Sequence, residues 1–147
     1  MEIIEDMLYF ATENKNVVRL DLTKLKKEID DGVSQGNRTC ETEVCKDAEV
    51  ICSDGKDIGV LSPSGELFEL KDCSIRVSLD YSAEKVDCWT SVAKRGSLMV
   101  SAGFKIADKS ILYTLVNMST KQITSSLKVI KNPNFASHHL RVVEVNS

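Results

Sequence analysis

With 147 residues, a formal net charge of −3, 42% hydrophobic and 28% charged residues, the chain suits one domain with a substantial core. That charge balance argues against a general affinity for nucleic acid or anionic membrane. The longest uncharged stretches, such as residues 110–120, fall well short of a bilayer span and carry hydroxyl and amide groups, so no membrane segment is expected.

The N-terminus is acidic from Glu2 and lacks the basic region and long apolar stretch of a secretory signal. Cys40, Cys45, Cys52, Cys73 and Cys88 are odd in number, in a chain large enough to fold without disulfides. Both observations predict an intracellular, cytoplasmic protein with free thiols. The triplets Asn37-Arg38-Thr39 and Asn117-Met118-Ser119 match the glycosylation pattern, but such matches arise often by chance and mean little without secretion.

The first predicted element is a hairpin. Residues 7–12 are apolar and aromatic, residues 13–16 (Glu-Asn-Lys-Asn) form a turn cluster, and Val18, Leu20 and Leu22 then share one face of a period-two strand. Leu22, Leu25 and Ile29 have helical spacing with lysines between them, which fits a short amphipathic helix; an extended edge strand guarded by Lys24, Lys26 and Lys27 is the alternative. Residues 31–46 turn to Gly, Ser, Asn, Thr and charge, and read as a long surface loop.

The centre of the chain carries the clearest signal. Two tight turns, Ser53-Asp54-Gly55-Lys56 and Ser62-Pro63-Ser64-Gly65, separate strand-length pieces at 49–52, 57–61 and 66–70, and connections this short join antiparallel neighbours. Further strands are predicted at 74–79, 86–93, 98–102, 110–116, 122–129 and 140–145, each rich in β-branched or aliphatic residues and bounded by turn residues. With about eleven strands and at most one short helix, the chain is predicted to be a single all-β domain over residues 1–147, an antiparallel meander.

Three strands end alike, at Val18-Arg19-Leu20-Asp21, Leu67-Phe68-Glu69-Leu70-Lys71 and Leu112-Tyr113-Thr114-Leu115-Val116-Asn117, and Asp21, Lys71 and Asn117 lie 50 and 46 residues apart. That is close to the length of one four-stranded propeller blade. The most complete unit, residues 86–129, has a second strand ending Ser101-Ala102-Gly103 and a Thr120-Lys121-Gln122-Ile123 turn into its fourth. In that order it resembles a blade of the WD-repeat β-propeller family. The family's Trp-Asp and Gly-His pairs are absent, so its buried hydrogen-bond network maps onto no position of this chain.

The resemblance implies propeller-like blades. The N-terminal hairpin would supply strands from the middle of one blade, two fuller blades would follow, and residues 138–145 would begin another. Three blades are fewer than the usual four to eight, so the expectation is a small propeller, a fragment of a larger one, or a ring completed by copies or other chains. A closed up-and-down β-barrel of about ten strands also fits this length.

Candidate chemistry is sparse. Cys40, Cys45 and Cys52, with His138 and His139, offer zinc-ligand chemistry, but the cysteine spacings are not those of paired metal knuckles. Cys88, beside Trp89 on a core-like strand, has no base marked as its partner. Asp54, Asp57 and Glu66 flank the two turns and read as solvated turn residues rather than a calcium ladder. Lys24, Lys26 and Lys27 read as a solvated face among acids, and both histidines as ordinary surface or satisfied residues. No catalytic, cofactor-binding or metal residues are therefore assigned. The expected function is a noncatalytic protein–protein interaction module or scaffold of β-propeller type, with a protein partner or homo-oligomer. The alternative is a small-ligand carrier whose barrel cavity would be lined by Trp89, Phe104 and Tyr113.

Overall fold

The computed structural model describes residues 1–79, 86–107 and 109–130. Within them the chain forms twelve strands in three four-stranded sheets, and in every sheet each strand pairs antiparallel with its neighbour in sequence. The first sheet contains β1 (Glu2–Ile4), β2 (Met7–Ala11), β3 (Asn16–Asp21) and β4 (Glu41–Lys46). The second contains β5 (Val50–Ser53), β6 (Ile58–Leu61), β7 (Glu66–Glu69) and β8 (Asp72–Ser78). The third contains β9 (Cys88–Arg95), β10 (Leu98–Lys105), β11 (Ser110–Asn117) and β12 (Gln122–Ile130). The architecture is all-β, with propeller-like blades stacked face to face. The sheets do not join into a closed barrel.

Turn chemistry explains why the meander folds where it does. The Ser53 hydroxyl accepts the Gly55 N–H at 2.9 Å, and Asp54 Oδ1 accepts the N–H groups of Lys56 and Asp57, both at 2.9 Å. At the next turn the Ser62 hydroxyl accepts the Glu66 N–H at 2.9 Å, while the Ser62 carbonyl accepts the Gly65 N–H at 3.1 Å. These short side chains satisfy backbone donors that a tight reversal would otherwise leave unpaired. Other hairpin corners are held without glycine: Glu5, Lys15, Lys109 and Lys121 have φ between 53° and 60°, as does Asp47 at the passage from the first sheet to the second.

Residues 22–30 form the helix rather than the edge strand. The helix α1 (Leu22–Asp30) starts where Asp21 accepts the Lys24 N–H at 3.0 Å, an N-cap that satisfies one of the first-turn donors. The expected loop over 31–46 ends early. After a 3-10 turn at Gln35–Asn37, β4 pairs with β3 and sets Cys45 opposite Val17 and Glu43 opposite Val18. The strand is hard to recognise because it is an outer one: of its six residues only Val44 and Cys45 are withdrawn from solvent. The N-terminal unit is also fuller than a mid-blade hairpin, since β1 supplies an inner strand and β4 an outer one. The strand expected at residues 140–145 lies outside the described residues. Among those described, no helix is long and apolar enough to cross a membrane.

The middle sheet is packed on both sides. Period-two alternation sends Ile58, Val60 and Phe68 toward the first sheet, where they meet Val17, Cys45 and Ala48. Leu61 and Leu67 point the other way, into a cluster with Trp89, Val92, Met99 and Val116 of the third sheet. Trp89 is the largest side chain of this second interface and is 8% exposed. It lies flat against the turn at Gly65, where φ is +85° and a Cβ would fall 2.6 Å from the indole Nε1. Only glycine supplies both the left-handed backbone and the space there. Gly59, midway along β6, is equally close: a Cβ would come within 2.5 Å of Met99 Cε and 3.2 Å of Lys94 Cδ.

Candidate interaction groove

The strands nearest the common centre are β1, β5 and β9, and they converge on a groove of about 880 Å³. Met1 and Glu2 line it from the first sheet, Val50–Asp54 and Lys56 from the second, and Thr90–Gly96 from the third. A smaller hollow of about 390 Å³ adjoins it, between Met1, Phe10, Ala11 and residues 49–51. The lining mixes the short hydroxyl residues Ser53, Thr90 and Ser91 with apolar Val50 and Ile51 and with charged Glu2, Lys56 and Arg95. Thr90 is fixed by its hydroxyl, which donates to the Ala102 carbonyl at 3.1 Å.

One end of the groove rests on a buried ion triad. The Lys94 side chain is 2% exposed, and its Nζ lies 2.9 Å from Glu69 Oε2 and 3.4 Å from Asp54 Oδ2; it also donates to the Gly96 carbonyl. Asp54 Oδ2 in turn accepts the Gly96 N–H at 3.1 Å. The triad therefore stitches the 53–57 turn and β7 of the middle sheet to the 95–98 turn of the third.

The charges answer to this geometry. Burial raises the Asp54 carboxyl, but the N–H groups of Asp57 and Lys56 and the Lys94 ammonium outweigh it and bring the pKa down to about 2. Glu69 is likewise lowered: burial opposes the shift, and Lys94, then Lys71 at 3.5 Å, overcome it. Burial works against the Lys94 charge, yet its two carboxylates raise its pKa. All three groups are held ionised and face one another. That is the arrangement of a structural tie.

Three of the thiols are shifted toward their protonated form. Cys45 and Cys52 are both pushed up to about 12, chiefly by burial, with a further contribution at Cys45 from the neighbouring Cys73 thiol of the second sheet. Cys88 is exposed and also raised, by burial first and then by Asp87 and Glu49.

Cys45 and Cys52 belong to cores on opposite sides of the middle sheet, so they do not converge on one metal. Among the described residues no group of three or more His, Cys, Asp and Glu is placed to hold a metal, and His138 and His139 lie outside them. Lys24, Lys26 and Lys27 are exposed on α1, with Lys26 paired to Asp30 at 3.3 Å.

Asp54 overturns its reading as a solvated turn residue: its side chain is only 13% exposed, and it serves the triad as well as the turn. Glu66 does pair at the surface, with Arg76 at 3.4 Å, while Asp57 Oδ1 accepts the Ile58 N–H at 2.8 Å. The aromatic set imagined for a barrel cavity is split. Trp89 pairs opposite Gly103 and faces the middle sheet, whereas Ala102↔Tyr113 and Phe104↔Ile111 place Tyr113 and Phe104 on the other face. Lys94 went unnoticed in the sequence, although a signal was present: two residues after Val92 on the same strand, it has inward parity. No family model matches the chain, and no curated protein or solved structure does either.

Proposed function

We propose that the chain is a noncatalytic protein-interaction scaffold of β-propeller type, which holds an extended polar segment of a partner protein in the groove between β1, β5 and β9. One observation carries this reading: the groove is lined by the inner strands of all three sheets, while the ionised groups at its end are consumed by one another. A site for chemistry needs a reactive group aimed at a common point; a binding face needs shape and unspent backbone and hydroxyl partners. The WD-repeat-like blade order supports the same reading as an analogy of architecture.

The test is selection of peptides from a displayed random library, followed by calorimetric titration against Ser53→Arg and Ser91→Arg proteins. Both substitutions put a long charged side chain into the groove from partly buried positions. The expected result is peptides that bind the parent and lose about tenfold or more in affinity to each variant, with the Ser91→Arg protein melting like the parent and the Ser53→Arg protein melting lower because it loses the hydroxyl that accepts the Gly55 N–H. Peptides that bind parent and variants alike, or a library that yields no binder, would count against the groove as the interaction site.

A further inference from the structure

Two cysteines from different sheets are neighbours. Cys45 lies on β4 and Cys73 on β8, the last strands of the first and second sheets, and Cys73 packs against the apolar cluster in which Cys45 is buried. After burial, the Cys73 thiol is the next contributor to keeping Cys45 protonated. The other three thiols are placed elsewhere. Cys52 is in the core on the far side of the middle sheet, Cys88 is exposed on β9, and Cys40 precedes β4, where its carbonyl accepts the Asp21 N–H at 3.0 Å.

Backbone irregularity sets Cys45 and Cys73 against each other. Flat facing sheets keep their strands roughly 10 Å apart, whereas a disulfide spans Cα atoms about 5.5–6 Å apart, so a strand must leave its plane for one to form. Both strands do so here. On β4 the register passes from Val17↔Cys45 to Val18↔Glu43, leaving Val44 over as a bulge. On β8 it passes from Phe68↔Arg76 to Glu69↔Asp72, leaving Cys73, Ser74 and Ile75 over. Such bulges bend a strand and re-aim its side chains. The second bulge is pinned, because Asp72 Oδ1 accepts the Ser74 hydroxyl at 2.7 Å and the Cys73 carbonyl accepts the Arg76 Nε–H at 3.1 Å. The Arg76 guanidinium then reaches Asp47 at 3.5 Å, tying β8 to the residue two beyond Cys45. Each S–H turns to a carbonyl of its own bend, Cys45 to Lys46 at 3.1 Å and Cys73 to Leu70 at 3.3 Å, so neither is committed to a third side chain.

We propose that Cys45 and Cys73 are a reversible redox modification site, closed to a disulfide between the first two sheets by a small-molecule disulfide of the glutathione type. Cys73 is partly exposed and Cys45 is 8% exposed, so the order of events follows from access. The Cys73 thiolate attacks one sulfur of glutathione disulfide; that S–S bond breaks, and one glutathione leaves and takes up a proton. The Cys45 thiolate then attacks the Cys73 sulfur of the mixed disulfide, and the second glutathione leaves in the same way. Two protein thiols are oxidised and one glutathione disulfide is reduced to two thiols. An excess of dithiol runs the exchange backwards. Closure adds a covalent tie to an interface otherwise held by apolar contact and rim charges, and it is independent of what occupies the groove.

The experiment equilibrates the folded full chain with glutathione disulfide, alkylates the remaining thiols and maps the peptides by mass spectrometry, with Cys73→Ser and Cys45→Ala proteins alongside. The parent should give a Cys45–Cys73 linked peptide, two hydrogens lighter than the free pair, that disappears with dithiothreitol. Its melting temperature should rise by about 5 °C or more on closure. Cys45→Ala should instead accumulate glutathione on Cys73, and Cys73→Ser should form no link and gain no thermal resistance. Exposed Cys88 should take up glutathione and keep it in all three proteins, which checks the reagent. Circular dichroism checks folding, and Cys73→Ser, at the partly exposed position, carries the comparison if Cys45→Ala is unfolded.

A parent whose Cys73 keeps its glutathione, or stays reduced while Cys88 reacts, overturns the proposal. So does a linked peptide that appears only in urea, since it would then belong to the unfolded chain.

Discussion

The middle sheet meets its two neighbours by different means. Toward the first sheet, Ile58, Val60 and Phe68 form an apolar contact, and charges stay at the rim: Lys15 and Glu49 are 2.6 Å apart with side chains 51% and 30% exposed, and Arg76 reaches Asp47 at 3.5 Å. Toward the third sheet the contact also encloses charge, since Lys94, with Glu69 and Asp54 paired to it, runs past Gly59 alongside Met99. Exposed pairs contribute little because water screens them, whereas a buried ammonium deprived of its carboxylates, or the reverse, is heavily penalised. The first interface should therefore tolerate loss of its ion pairs, and the second should not.

The largest expected effect is at Trp89. Truncation to Ala removes the main apolar area of the second interface and opens a cavity against Gly65, so stability should fall by about 3–5 kcal/mol. Urea unfolding measures it, and a variant as stable as the parent would show that the indole is not what holds the two sheets together. Next comes Lys94→Ala, which strands two carboxylates and should cost about 3 kcal/mol or more. Adding Glu69→Leu to Lys94→Met should recover much of that loss; if the double change is as damaging as Lys94→Ala, the triad is not acting as a unit.

Acid provides a third comparison. Asp54 has a folded pKa of about 2 against its ordinary 3.8, and Glu69 is shifted in the same direction, so the folded state holds fewer protons than the unfolded chain in this range. The stabilisation is complete above the ordinary carboxylate values and drains away as pH falls through the folded ones. Lys94 works in the opposite sense: its contribution is complete below the ordinary lysine value of 10.5 and is lost only as pH rises through its raised folded value. Melting temperatures recorded from pH 6 down to pH 2 should fall more steeply for the parent than for the Lys94→Met, Glu69→Leu protein. Parallel curves would place the acid-sensitive groups elsewhere.

The smallest effect belongs to the first interface. Arg76 lies over the Phe68 ring at 4.2 Å and pairs with Glu66 and Asp47, all at the edge of the apolar contact. Arg76→Ala should cost about 1 kcal/mol, with the cation–π contact supplying most of it. A loss as large as that of Lys94→Ala would erase the distinction between the two interfaces.

What could be read from the sequence follows from where each signal lives. The central meander was legible because Asp-Gly and Pro-Ser-Gly turns act locally, and the third sheet because its strands are long and apolar. β4 was not, because an outer strand with Glu41 and Glu43 on its face has no apolar alternation to display. β1 was missed because it is three residues long and begins with an acid. The absence of a convergent catalytic set was an expectation that leaned on spacing alone. The triad escaped for a different reason: its members come from positions 54, 69 and 94, and a buried charge declares itself only through partners that tertiary packing brings together.

The hairpin corners carry a consequence for anyone wishing to harden the protein. Glu5, Lys15, Lys109 and Lys121, with Asp47 between sheets, hold left-handed backbone that costs a side-chain-bearing residue about 1 kcal/mol or more each. Asparagine adopts that conformation more readily than lysine or glutamate and, unlike glycine, does not add much freedom to the unfolded chain. Rewriting the four lysine and glutamate corners would leave both apolar interfaces untouched and give up only the exposed rim pair of Lys15 with Glu49. The loops of this fold thus hold a reserve of thermal resistance that its core does not need to supply.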